Sequence, residues 1–294
     1  MEHLFIINPV AGKGKALKFI KEIKNLFVNS GKKYLIKITE KPGHATEIAR
    51  EYTRKGCLRV YSVGGDGTLN EVVNGMVGSN SSLAIIPAGS GNDFIKSIVN
   101  SNMEPKDILV RAINGSKVRL ADLAKVNERY FINISSIGFD AEVVYNTNKI
   151  KKLPCIPGKL AYILGVLITL FKYNNYYLKV TIDGQYIETK SLLTAVANGR
   201  YYGGGMLPTP NAEIDDGQFD ICLISEVNRF KIFRFLPRFI KGLHGNLKEV
   251  SFYRGKKITI ECDKDLAINI DGEVNKVRKA SFEIIPKAIS IVVP

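Results

Sequence analysis

Three glycine-rich loops in the first hundred residues constrain the fold more than any other feature of this sequence. They span residues 8–15, 64–68 and 87–93, and each directly follows a short apolar strand. Apolar residues then recur at helical spacing from Ala16 to Phe27, and residues 44–55 and 69–76 predict two further helices. This alternation is typical of a doubly wound parallel sheet with helices on both faces. Because ligands bind beyond the carboxyl ends of parallel strands, we expect all three loops at one edge of the sheet.

The pattern changes near Lys117, and short strands dominate the rest of the chain. Asp183-Gly184 and Asp271-Gly272 lie between apolar runs, as the turns of β-hairpins do. Helical patterns at 159–171 and 229–241 interrupt the strands. We therefore predict an α/β domain over 1–117 and an antiparallel β-sandwich domain over 118–285, with residues 286–294 closing the second sheet or rejoining the first domain. The predicted strands are 117–126, 130–135, 177–182, 192–197, 219–224, 257–262, 267–270 and 282–285.

The charge balance indicates a polyanionic partner. The 42 lysines and arginines exceed the 28 acidic residues, which gives a net charge of +14. Such a surface attracts nucleic acid, anionic membranes or nucleotide phosphates. The charges are spread along the chain and no nucleic-acid-binding signature occurs, so we expect no nucleic acid partner.

Absent motifs exclude several other classes of protein. The four cysteines never form C-x-x-C, so we expect reduced thiols in a cytoplasmic protein rather than disulfides or a zinc site. The sequence contains neither H-E-x-x-H nor G-x-S-x-G, which argues against metalloprotease and serine-hydrolase chemistry. The first residues lack signal-peptide features, and the longest apolar stretch, at 160–171, is shorter than the roughly 20 residues of a bilayer span.

The loop Gly64-Gly65-Asp66-Gly67-Thr68 is the sharpest motif. Glycines let backbone N–H groups approach an anion, and the N-terminus of the following helix adds positive potential. Asp66 repels phosphate, so its useful role there is to hold Mg²⁺ that bridges to phosphate oxygens. The alternative is a glycine-rich turn in which Asp66 caps the helix.

The other two loops are less specific. Residues 8–15 lack G-x-x-x-x-G-K-[ST], and a basic turn before a helix accounts for them as well as a phosphate contact does. In 87–93, Ser90 is a candidate phosphate donor, whereas Asn92 or Asp93 is a candidate cap for a helix at 94–99. Three such loops at one edge together favour a nucleotide phosphate site.

The order of the motifs resembles that of a known family. Residues 64–71, Gly-Gly-Asp-Gly-Thr-Leu-Asn-Glu, are similar to the nucleotide motif of diacylglycerol kinases, sphingosine kinases and their bacterial relatives. The resemblance covers essentially the whole chain and implies a soluble bacterial lipid kinase with its active site in the cleft between the two domains. Ser90 stands where Thr is commoner, which keeps the hydroxyl. The flanking segments that resemble the family's motifs are 8–12, 87–94, 137–141, 198–199, 203–206, 215–217 and 269–273.

The resemblance also implies a nucleotide site and two metal contacts. ATP would bind the α/β domain with Mg²⁺ held by Asp66, and a structural metal would bind the Asp216 side chain and the backbones of Glu213 and Gln218. Without the resemblance, residues 215–217 fit a hairpin turn better. The implied nucleotide-binding residues are Asn8, Pro9, Val10, Ala11, Gly12, Thr39, Gly64, Gly65, Asp66, Gly67, Thr68, Leu69, Asn70 and Ser90.

Asp271 and Glu273 are the candidate catalytic residues that the resemblance implies. A kinase needs a carboxylate that orients the substrate hydroxyl and accepts its proton. Asp271 is the first candidate and Glu273 the second, and the sequence does not separate them. A plain hairpin turn at 271–272 is the alternative.

The implied reaction transfers the γ-phosphoryl of ATP to a lipid hydroxyl, with diacylglycerol and phosphatidic acid as the expected substrate and product. Phosphatidylglycerol, a sphingoid lipid or a monoacyl lipid offers the same kind of hydroxyl. Segments 87–94 and 203–206 argue against an NAD-kinase-type enzyme. Asp66, Asp271 and Glu273 argue against a non-catalytic lipid-binding regulator. A homodimer is a further expectation that the sequence leaves open.

A lipid kinase must reach a bilayer, so we expect peripheral association with an anionic membrane surface. Basic residues stand beside apolar ones at 149–160 and on the helix 229–241, as they do in interfacial helices. The alternative is that these apolar faces pack on the β domain. The basic residues are Lys149, Lys151, Lys152, Lys159, Arg229, Lys231, Arg234, Arg238 and Lys241, and the apolar residues of the second helix are Phe230, Phe233, Leu236 and Ile240.

Overall fold

The computed structural model describes residues 2–28, 30–99, 103–150, 153, 156, 158–172 and 175–294. The strands are β1 (Glu2–Ile7), β2 (Tyr34–Ile38), β3 (Leu58–Gly64), β4 (Ser82–Pro87), β5 (Val118–Val126), β6 (Arg129–Phe131), β7 (Ile134–Gly138), β8 (Tyr176–Ile182), β9 (Gln185–Ala197), β10 (Phe219–Ser225), β11 (Val250–Gly255), β12 (Lys257–Ile270) and β13 (Glu273–Val292). The helices are α1 (Phe19–Phe27), α2 (His44–Thr53), α3 (Asp66–Met76), α4 (Pro105–Asn114), α5 (Phe139–Ile150), α6 (Gly158–Lys172) and α7 (Arg229–Ile240), with 3₁₀ segments at Ala11–Lys18 and Phe94–Ser97. No helix in these residues is long and apolar enough to cross a membrane.

Four parallel strands in the order β2-β1-β3-β4 form the sheet of the first half. Every residue of β3 is buried, because its two faces are covered rather than one. Phe5, Ile23 and Tyr61 are among the fully buried side chains of this core. The parallel strands bring their carboxyl ends, and the loops that follow them, to one edge of the sheet.

The second half is an antiparallel β-sandwich. Strand β9 pairs with β7, β8 and β10, and β12 pairs with β7, β8 and β13. Phe131, Phe219 and Phe282 meet in its interior, with ring centroids 6.1–6.4 Å apart. A separate cluster includes Phe235 of α7 and Leu193 of β9, so α7 covers an outer face of the sandwich.

Strand β13 connects the two halves. Its first part pairs with β12, and its last part lies between β5, to which it is antiparallel, and β4, to which it is parallel. The register shifts between Ile285 and Ile289, where Lys287 has a left-handed φ of 54°. The Lys287 N–H donates to Asp122 Oδ1 at 2.7 Å. Such an irregularity bends a strand and lets it serve two sheets. Residues after 286 therefore lie beside the sheet of the first half.

Several elements differ from the sequence-based expectation. The strand expected at 130–135 is divided into β6 and β7, because residues between them turn their N–H groups to the Asp271 carboxylate. The strands expected at 257–262 and 267–270 form the single strand β12, which is irregular between Glu261 and Leu266. Helices α4 and α5 and strand β11 were not predicted, although Pro105 at the first position of α4 is a helix-start signal.

Candidate active site

The three glycine-rich loops touch one another at the carboxyl edge of the parallel sheet. The N–H groups of Ala88 and Gly89 both donate to the Gly64 carbonyl, at 2.8 and 3.1 Å. A Cβ on Gly89 would lie 2.4 Å from the Gly65 Cα, and one on Gly12 would lie 2.2 Å from the Ala88 carbonyl oxygen. Backbones approach this closely only where no side chain intervenes.

The remaining predicted nucleotide-binding residues follow the same strands. Asn8 Nδ2 donates to Thr68 Oγ1 at 3.0 Å, and Asn8 Oδ1 accepts the Val10 N–H at 3.1 Å, which ties the first loop to the second. The Thr39 N–H donates to the Ile7 carbonyl at the end of β2. Ser90 is exposed at the tip of the third loop, where its hydroxyl is accessible to a ligand.

Asp66 does not cap α3, since its side chain reaches the third loop. Its Oδ1 accepts the N–H groups of Asp93 at 2.8 Å and Phe94 at 3.4 Å. Burial, and then the negative charge of Asp93, raise the pKa of the Asp66 carboxyl, against these hydrogen bonds. Burial and the neighbouring carboxylate disfavour the ionised form of Asp66, and a bound cation would stabilise that form.

Asp93 links the two halves of the chain. Its carboxylate is buried, with Oδ1 2.6 Å from Lys96 Nζ and Oδ2 accepting the Gly204 N–H at 2.7 Å. Gly204 belongs to the 203–206 loop of the sandwich half. The sequence interpretation considered Asp93 only as a cap, and its side chain makes no capping hydrogen bond to the 3₁₀ segment.

A cleft of about 200 Å³ separates these loops from the sandwich half. Asp66 and Asp93 line it from the α/β half, and Asp271 lines it from the other. Val144 and Tyr202 supply apolar and aromatic surface beside these carboxylates. The cleft thus joins an acidic centre to a less polar wall.

Asp271 sits in the turn between β12 and β13, with a left-handed φ of 46°. Its Oδ1 accepts the N–H groups of Asn133 and Ile134, and its Oδ2 accepts that of Ile132 and Asn70 Nδ2, all at 2.9–3.2 Å. Burial raises the pKa of this carboxyl to about 6, although the four hydrogen bonds oppose the rise. The side chain is therefore fixed in place and has a proton affinity suited to a general base.

Glu273 is less enclosed than Asp271 and is bound to an arginine. Its side chain is 50% exposed, and its Oε2 lies 2.7 Å from Arg129 Nη1. The other arm of Arg129 donates to Asn70 Oδ1 at 2.9 Å. Sequence interpretation missed Arg129, because nothing in its local pattern distinguishes it from the many other basic residues.

The residues predicted for the structural metal site lie on another surface. Asp216 Oδ1 accepts the Gln218 N–H at 3.0 Å, and its other oxygen contacts Arg254. Glu213 and Asp216 line a cavity there with Asp220, 3.8 Å from Arg254. Arg254 already supplies positive charge to Asp216, and within the described segments no three carboxylate, imidazole or thiol groups are arranged to hold a metal ion. A metal ion bound by the Asp216 side chain and the two backbone carbonyls would have to displace Arg254, and this metal site stays a prediction.

Two family models match the chain. The diacylglycerol kinase catalytic domain matches residues 2–126, and the YegS C-terminal NAD kinase beta sandwich-like domain matches residues 133–293. The chain belongs to the diacylglycerol kinase family. These matches confirm both the predicted α/β plus β-sandwich fold class and the predicted lipid-kinase family.

Full-length relatives agree with the family match. The diacylglycerol kinase of Bacillus subtilis is 28% identical over 294 residues, which cover 98% of this chain and 95% of the relative. That of Mycobacterium tuberculosis is 28% identical over 300 residues, covering 98% and 94%. A solved structure from Bacillus anthracis str. Sterne, assigned as a diacylglycerol kinase, has a TM-score of 0.76 at 26% identity and covers 100% of this chain and 97% of its own.

Proposed function

We propose that the chain transfers the γ-phosphoryl group of ATP to the primary hydroxyl of a lipid. The hydroxyl oxygen bonds to the γ-phosphorus, the bond to the bridging oxygen breaks, and ADP leaves with that electron pair while the hydroxyl proton passes to a carboxylate. The cleft carries this proposal, because it is lined by Asp66 beside the glycine loops and by Asp271 from the opposite half. Phosphoryl transfer depends on such positioning and on electrostatic stabilisation.

In this proposal the predicted nucleotide-binding residues hold ATP. The N–H groups of the 64–68 loop and the N-terminus of α3 would face its phosphates, and Ser90 would add a hydroxyl contact. Asp66 would hold Mg²⁺, since its carboxylate is disfavoured as an unpaired anion and offers hard oxygen ligands. When bound, Mg²⁺ neutralises charge on the phosphate oxygens.

We assign the proton acceptor to Asp271 and keep Glu273 as the second candidate. Asp271 lines the cleft, and burial raises its pKa to about 6, whereas Glu273 is half exposed and paired with Arg129. Each oxygen of Asp271 accepts two hydrogen bonds, and the four donors, three backbone N–H groups and the Asn70 amide, hold the carboxylate in place.

Diacylglycerol is the proposed substrate, because the relatives in Bacillus subtilis and Mycobacterium tuberculosis are diacylglycerol kinases. A panel of lipids in detergent with γ-labelled ATP and Mg²⁺ tests it. We expect label in phosphatidic acid and little in products of phosphatidylglycerol, sphingoid or monoacyl lipids. Stronger labelling of one of those lipids would overturn the substrate, and labelling of none would overturn the proposed reaction.

Docking on an anionic membrane surface is a further part of the proposal. On α7, Phe235 and Phe239 are buried against the sandwich, so part of the apolar face packs on the β domain. Leu236 and Ile240 remain 40% and 42% exposed, and Phe171 at the end of α6 is 73% exposed. Exposed basic residues accompany them: Arg234 and Arg238 on α7, and Lys241 directly after it. Lys151 and Lys152 lie outside the described residues, as do the side chains of Lys159, Phe230 and Phe233.

Three other expectations stay predictions. They are the domain boundary at 117/118, the structural metal at Glu213, Asp216 and Gln218, and the homodimer of a cytoplasmic, peripherally membrane-bound enzyme. For the boundary, β5 is informative: Ala121 and Leu123 belong to the core of the first half, whereas Ala124 belongs to that of the second. We propose that the division runs through β5 and that residues 286–294 belong with the α/β domain.

A further inference from the structure

Arg129 lies where the two halves of the candidate site meet. It begins β6, and its guanidinium forks between Glu273 Oε2, 2.7 Å from Nη1, and Asn70 Oδ1, 2.9 Å from Nη2. Glu273 follows the Asp271 turn, and Asn70 belongs to α3 behind the Asp66 loop. A planar guanidinium suits such a fork because its donors point in fixed directions.

The contact with Arg129 at 2.9 Å is the shorter of two that set which way the Asn70 amide faces, since Asn70 Oδ1 also accepts from Asn74 Nδ2 at 3.3 Å. Since Oδ1 accepts from Arg129, the amide nitrogen is directed to Asp271 Oδ2 at 2.9 Å and to the Tyr130 carbonyl at 3.2 Å. The reversed amide would place its NH₂ group against the guanidinium and its oxygen against the Asp271 carboxylate. Both contacts would then be repulsive. Asn70 is buried, so water does not replace the lost hydrogen bonds.

The geometry points to Arg129 as a positioning residue that fixes the Asn70 amide and so keeps Asp271 oriented and ionised. Arg129 acts through Asn70, and it is not itself among the residues that line the cleft. The inference rests on the proposed role of Asp271 as proton acceptor. It also gives the Arg129–Glu273 pair a purpose, since Glu273 holds the guanidinium in place for Asn70.

The sign of the expected pH effect follows from the charges around Asp271. Arg129 on β6 is cationic, Glu273 on β13 is anionic, and Asp66 and Asp93 are anionic across the cleft. Burial raises the pKa of Asp271, whereas the Asn70 hydrogen bond that Arg129 holds in place lowers it, and the positive charge of Arg129 acts in the same direction as that hydrogen bond. Loss of Arg129 therefore raises the pKa at which Asp271 takes up a proton.

The test is the pH dependence of kcat in Arg129→Gln. In the pH profile of kcat, we expect the acidic limb to move up by about 1 pH unit, so that kcat falls about 10-fold at pH 5 and about 2-fold at pH 7, with KM for ATP little changed. Arg278→Gln is the matched control, because Arg278 of β13 forms an exposed pair with Asp265 of β12 at 2.8 Å and neither residue lines the cleft. In Arg278→Gln the acidic limb should lie at the wild-type pH. If the acidic limb of Arg129→Gln lies at the same pH as that of the wild type, the inference is overturned.

Two further variants separate the role of the Arg129 cation from that of its partner Glu273. Arg129→Lys keeps a cation and a donor, so it should restore most of the limb position, and a full shift in this variant contradicts the inference. Glu273→Gln keeps an oxygen that accepts from Arg129 and removes an anion near Asp271, so its limb should stay or move to lower pH. A Glu273→Gln shift equal to that of Arg129→Gln contradicts the inference, because the charge of Glu273 would then set the limb. If Asp271→Asn retains the wild-type limb, the proposed proton acceptor fails instead, whatever Arg129→Gln does.

Discussion

The contact between Gly65 and Gly89 makes a specific prediction about the assembly of the nucleotide loops. In Gly89→Ala the new Cβ would lie 2.4 Å from the Gly65 Cα and 3.0 Å from the Gly65 nitrogen. Ordinary carbon–carbon contact needs about 3.5–4.0 Å, so the loops must separate by roughly 1 Å or more. Both atoms belong to the backbone of Gly65, directly after the buried strand β3, and have no rotamer by which to move away. Overpacking of this kind costs about 1–3 kcal/mol.

Gly67→Ala is the matched control in the neighbouring loop. A Cβ on Gly67 would have no heavy atom within 4 Å, and Gly67 lies in the first turn of α3. Alanine is the better helix former by up to about 1 kcal/mol, so this variant should melt at or slightly above the wild-type temperature. Because each kcal/mol shifts the Tm of a chain of this size by roughly 2–4 °C, a loss of about 2 kcal/mol in Gly89→Ala corresponds to about 4–8 °C.

The assay is thermal unfolding of the two variants and the wild type, followed by titration with ATP. Gly89→Ala should melt several degrees below Gly67→Ala and bind ATP more weakly than the wild type, because the separated loops no longer present their N–H groups together. Equal melting temperatures for the two variants, with unchanged ATP affinity in Gly89→Ala, would refute the close approach of these loops.

Three other predictions concern the base, a buried histidine and the membrane. Asp271→Asn should lower kcat by about 10² or more, and Glu273→Gln should cost less; the reverse ranking exchanges their roles. Burial and the charge of Arg59 lower the pKa of His3 to about 4, so the folded chain resists the proton that the unfolded chain takes up near pH 6.5. As pH falls from 6.5 to 4 the wild type should lose more stability than His3→Gln, and equal losses in thermal scans contradict this. The chain should co-sediment with anionic but not neutral vesicles and detach as salt rises, whereas equal binding to both, or to neither, ends the docking proposal.

The sequence could predict those parts of the site that depend on short runs of neighbouring residues. Glycines without a side chain, placed directly after apolar strands, specify loops at the edge of a parallel sheet whatever the rest of the chain does. The Asp271-Gly272 turn was equally visible, because Asp-Gly between apolar runs suits left-handed backbone, and both residues have positive φ. The pattern does not show that Asp271 faces the cleft.

The part that the sequence could not predict depends on contacts between distant segments. Arg129 is one of 42 basic residues, and it is distinguished by Asn70 and Glu273, which lie 59 and 144 residues away. Asp93 is likewise distinguished by a distant contact, because Gly204 lies 111 residues away. The raised pKa of Asp271 arises from burial between two halves of the chain. Such effects are consequences of tertiary packing, and no periodicity encodes them.

The most direct test of the central claim compares wild type with Asp66→Asn in transfer of label from γ-labelled ATP to diacylglycerol. Asparagine keeps an oxygen to accept the Asp93 and Phe94 N–H groups but loses the charge, so the fold should persist with little change in Tm. We expect the wild type to form labelled phosphatidic acid and Asp66→Asn to be slower by about 10² or more. A folded Asp66→Asn variant that transfers label at the wild-type rate would contradict a phosphoryl-transfer site in this cleft.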